Sequence, residues 1–69
     1  MNLTETEVEA ARHYIQRQMD IHSWWPKAQP GEAQREFALM KDSAVALNVW
    51  CERWLDDGQC RQLEKSVRD

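Results

Sequence analysis

Glycine and proline are scarce in this chain, two of each among 69 residues, and β-branched residues are thinly spread. Strands joined by tight turns draw on all of these, so their shortage argues against an all-β sandwich or barrel. Two cysteines are too few for the multiply bridged framework of a small secreted domain. No stretch is long and apolar enough for a membrane span. The opening residues, Met-Asn-Leu-Thr-Glu-Thr-Glu, are polar and acidic, the opposite of a secretory leader's basic start. The expectation is a cytoplasmic chain with reduced thiols and no membrane contact. An excess of basic charge is also missing: 9 Lys and Arg stand against 12 Asp and Glu, a net charge of −3. That argues against bulk attraction to nucleic acid or to an anionic membrane, and is too mild to establish a DNA mimic.

What is present is helical. Glu, Gln, Arg, Ala and Leu are common, and 69 residues suit one domain. Thr4 and Glu7 have capping-box spacing, and Leu3 and Val8 stand where a hydrophobic staple would place them. Val8, Ala11, Ile15 and Met19 follow at helical spacing. A first helix is expected over about 5–22. Pro26 ends it by biasing Trp25 toward extended backbone. Pro30 suits the first turn of the next helix, leaving a connector at 23–29.

The second helix is expected over about 30–56. Ala33, Phe37, Met40, Ala44, Leu47, Cys51 and Trp54 are spaced 4, 3, 4, 3, 4, 3, an a/d seam across three heptads. Ala38, Leu39, Val45, Ala46, Val49, Trp50 and Leu55 are apolar too and lie off it. A helix apolar around most of its circumference needs cover on more than one side. The predicted source is a two-fold mate pairing with this surplus apolar face, with Phe37, Met40, Ala44, Leu47 and Cys51 as the dimer and core seam. Asp56-Asp57-Gly58 reads as a helix stop with Gly58 in the left-handed cap position. A short third helix at about 59–67 carries Cys60, Leu63 and Val67. The expected fold is therefore all-α, an antiparallel helical hairpin with a short C-terminal helix, dimerising into a four-helix-type core.

Candidate chemistry is sparse. His13 and His22, and Cys51 and Cys60, are each nine residues apart. Nine residues of helix turn through about 900° and advance about 13 Å, which puts the pair on opposite faces. One zinc needs adjacent ligands, so no metal is expected. No nucleophile–base spacing is visible either, so neither enzyme nor cofactor is expected. Arg61, Lys65 and Arg68 fall at i, i+4 and i+7. This is a possible nucleic-acid stripe, or simply a solvated basic face at a helix C-terminus.

The anomaly is tryptophan: four in 69 residues, two of them adjacent in the connector "HSWWPKAQPGE". Trp24 and Trp25 point apart in any regular backbone, so both cannot enter one pocket. One is expected to plug the end of the hairpin and the other to face a partner, with Trp50 and Trp54 as a second aromatic pair at i, i+4. The functional expectation is a small non-enzymatic protein-binding regulator. Its alternative is a nucleic-acid-linked regulator, either a DNA binder through the C-terminal stripe or an acidic DNA mimic. Short, acidic, helical and aromatic-rich, the chain resembles in kind the accessory proteins of phages and plasmids. Some of these inhibit host transcription regulators or defence machinery, which implies an inhibitor or anti-activator of such a host protein.

Overall fold

The computed structural model describes residues 2–21, 30–40 and 43–68. They form four helices: α1 (Val8–Asp20), α2 (Pro30–Leu39), α3 (Ala44–Trp54) and α4 (Asp57–Arg68). The all-α expectation holds, while several boundaries differ. α1 starts three residues later than expected, because Thr4 to Glu7 closes a separate turn, with the Glu7 N–H donating to the Thr4 carbonyl at 3.0 Å. Half of the capping box is present. The Glu7 carboxylate accepts from the Thr4 N–H at 2.8 Å, but the Thr4 hydroxyl also donates to that carboxylate, at 3.1 Å, and does not cap the helix. Leu3 and Val8 are both buried in the core, as the staple requires.

The single long helix expected over 30–56 is two helices. α2 closes at Leu39, where the Met40 N–H reaches back three residues to the Phe37 carbonyl at 3.3 Å. Ser43 is extended, and its hydroxyl accepts from the Ala46 N–H at 3.4 Å, capping α3. A straight helix of that length would run about 40 Å. The folded chain is only 27 Å along its longest axis, so the break lets the second half of the seam fold back into the same core. The seam therefore reported burial correctly on both sides of a break it could not reveal.

The junction of α3 and α4 also differs from expectation. Gly58 lies in the first turn of α4 and has no left-handed backbone. Leu55 is extended (φ −99°, ψ 146°) and ends α3. Asp56 and Gln59 then form a full reciprocal box: the Asp56 carboxylate accepts from the Gln59 N–H at 2.8 Å, and the Gln59 side chain accepts from the Asp56 N–H at 3.1 Å. Aspartate satisfies an orphan donor of the first turn, so Asp56-Asp57-Gly58, expected as a helix stop, opens α4 instead.

One core holds the four helices together. Val8, Ala11, Ile15 and Met19 of α1, Ala33 and Phe37 of α2, and Ala44, Leu47, Trp50, Cys51 and Trp54 of α3 are all buried, with Leu55 and with Leu63 of α4. α1 packs most extensively on α4 and also against α3, and α2 packs on α3. The N-terminus is pinned twice. Leu3 exchanges hydrogen bonds with the Asn48 side chain, at 2.8 and 3.1 Å. Arg68 grips the Glu7 carboxylate at 2.7 Å and the Asn2 carbonyl at 2.8 Å.

Candidate interaction surface

The expected anchors Trp50 and Trp54 are core residues, only 4% and 6% exposed. Each indole is bulky, and each N–H finds a partner as it is buried, which is the condition for hiding a tryptophan. Trp50 donates to the Ala33 carbonyl at 3.0 Å and Trp54 to the Glu36 carboxylate at 3.2 Å. The Phe37 ring lies 5.0 Å from Trp50, tilted by 55°. Arg12 of α1 places its guanidinium 5.0 Å over the other partner in this stack, Phe37, and donates to the Met40 carbonyl at the end of α2. The aromatic residues thus weld α2 to α3 and are unavailable as exposed anchors. Trp24 and Trp25 lie outside the described residues, as does His22.

Of the dimer and core seam, Phe37, Ala44, Leu47 and Cys51 are buried within the chain and Met40 is partly buried against them, so the seam is core of the single chain. Of the basic stripe, Arg61 and Lys65 are exposed, but Arg68 is committed to Glu7, Glu64 and Asn2. Its partner Glu7 is drawn down to about 2, first by the hydrogen bond from Arg68 and then by the Thr4 N–H.

The cysteines sit on different helices, so the rotation argument made for one continuous helix does not describe them. Cys51 is buried in α3, its thiol pushed up to about 12 by burial and further by nearby Cys60. Burial also raises Cys60, in α4. Both thiols are free. Among the described residues, no three of His, Cys, Asp and Glu gather where they could hold a metal ion, and no helix is long and apolar enough to cross a membrane.

What the core leaves out is specific. Leu39, Val45 and Val49 are 78%, 73% and 57% exposed. Val45 and Val49 are one turn apart on α3 and share a face. Val49 also borders an open groove of about 280 Å³, lined with it by Met40, Ala46 and Trp50 and walled by Glu36 and Arg53. Those two charges pair at 3.4 Å, and the Arg53 guanidinium lies 5.2 Å over the Trp54 ring. Glu52, in register with the two valines, is exposed, and Asp56 and Asp57 are exposed just beyond the end of α3. A second hollow of about 660 Å³ lies along α1 between Arg12, Arg17 and Phe37 and runs to Ile21.

Val45 and Val49 were readable as apolar residues off the seam. Surplus apolar surface off the seam was expected, but which of those residues stay exposed depends on which side of α3 the rest of the chain covers: Trp50 and Leu55 are buried, Val45 and Val49 are not. No protein-family model, no curated protein and no solved structure matches this chain.

Proposed function

We propose that this protein is a non-enzymatic binding module, a small regulator that inhibits or restrains a host protein by docking it on the outer face of α2 and α3. One observation carries the reading. The chain closes its own core and still leaves Leu39, Val45 and Val49 more than half exposed on neighbouring helices. Branched aliphatic side chains lose apolar burial when left in water, and Val45 and Val49, one turn apart on α3 with Val49 bordering the groove, form the kind of exposed apolar patch that protein-binding surfaces use. The basic stripe gives less support to nucleic-acid binding, since Arg68 is spent on the N-terminal clasp.

The test compares affinity capture from a candidate host by the wild type and by Val45→Asp and Val49→Asp. Both positions are exposed, so the variants are expected to keep the wild-type melting temperature. The expected result is a protein retained by the wild type, lost with both variants, and forming a stoichiometric complex when purified and mixed. Identical capture by all three proteins would overturn the reading.

A further inference from the structure

We infer that the occupant of this face is a basic amphipathic helix of the partner, lying along α3 with aliphatic residues on Val45 and Val49 and a lysine or arginine beside Glu52. The inference rests on the protein-binding reading and adds the partner's chemistry to it. Val45, Val49 and Glu52 are spaced four and three apart within α3 and form one exposed stripe that changes from apolar to acidic. Glu52 is the carboxylate of this stripe; Asp56 and Asp57, also exposed, belong to the cap and first turn of α4. Arg53, the residue next to Glu52, is paired with Glu36 and stacked on Trp54. A complementary ligand therefore presents aliphatic residues a turn apart, followed by positive charge, which is the helix-in-groove mode of recognition.

The size of the face points the same way. Three aliphatic side chains offer on the order of 300 Å² of apolar area. A standard stable interface covers about 800 Å² on each partner. The face matches one helix better than a whole subunit. A second copy of this chain also brings a net charge of −3, so self-association works against its overall charge.

The experiment uses three fluorescein-labelled helical peptides that share one leucine and isoleucine stripe and carry lysine, glutamine or glutamate at the flanking positions. Binding to the full chain is read by anisotropy at low salt. The lysine peptide is expected to bind about fivefold or more tighter than the glutamate peptide. Glu52→Lys should narrow or invert that order, and Val49→Asp should weaken the lysine peptide about tenfold. If Val49→Asp weakens all three peptides while charge makes no difference, a protein-binding face stands and its basic partner is refuted. If Val49→Asp weakens none, both readings fall. Sedimentation of the wild type as a dimer that Val49→Asp dissociates would assign the face to a second copy and overturn the inference.

Discussion

The Trp50 indole N–H donates to the main-chain carbonyl of Ala33 at 3.0 Å, from the middle of α3 into α2. The bond is buried, and it fixes how the two halves of the apolar seam meet after the chain breaks between them. A leucine there would leave both the indole's volume unfilled and the Ala33 carbonyl without its donor.

Trp50→Phe should therefore cost about 1–2 kcal/mol, because it keeps a ring against Phe37 but removes a buried donor. Trp50→Ala should cost about 3–5 kcal/mol, through the cavity it leaves. Denaturant midpoints measure both. A Phe variant as stable as the wild type would mean that the hydrogen bond contributes nothing to joining α2 and α3.

The Glu7–Arg68 clasp makes the fold acid-sensitive in a defined window. Glu7 is lowered from 4.5 to about 2, chiefly by its hydrogen bond to Arg68. A carboxyl with a depressed folded value stabilises the fold above its unfolded value and loses that contribution as pH falls through the folded one. The stabilisation is thus complete at neutral pH and fades between about 4.5 and about 2. Glu7→Gln should lower the melting temperature at pH 7 and match the wild type near the acid end of that window. Added salt should shrink the neutral-pH difference, since Arg68 is largely exposed. A difference independent of pH would contradict the assignment.

Two helix starts that look alike in sequence should separate on mutation. Asp56→Ala removes a formed cap on α4 and should cost about 1 kcal/mol. Thr4→Ala removes a hydroxyl that donates to Glu7 and caps nothing, so about 0.5 kcal/mol or less is expected. Equal losses in a chemical denaturation series would show that the Thr4 hydroxyl caps α1 after all.

Neither thiol should react as an ordinary cysteine. Cys51 is buried and pushed up to about 12, and Cys60 is raised as well. A disulfide reagent at pH 8 should modify the native protein slowly and the denatured protein at once. The sign for stability is the reverse of the Glu7 case. Burial of a thiol raised above its unfolded 9.0 favours the fold below that pH, and the contribution is lost as pH rises toward 12. Rapid native modification of Cys51 would show that the α3 core opens readily.

Helical class, the Leu3 and Val8 staple and the identity of most core residues were legible in the sequence alone, because each is a short-range pattern. Val8, Ala11, Ile15 and Met19 at helical spacing report a buried face whatever covers it. Ala33, Phe37, Ala44, Leu47, Cys51 and Trp54 do the same. Tertiary structure alone decided where that seam breaks and what covers each face. A serine hydroxyl that caps a helix in one context rides inside it in another, and Ser43 became a cap because the chain gains a shared core by folding back. For the same reason Trp50, off the seam, was placed inside and Val45 and Val49 outside. Periodicity records that a side chain is apolar and on which face of its helix it lies. Which face meets protein and which meets water depends on contacts between residues distant in sequence, such as Trp50 with Ala33, Asn48 with Leu3 and Arg68 with Glu7.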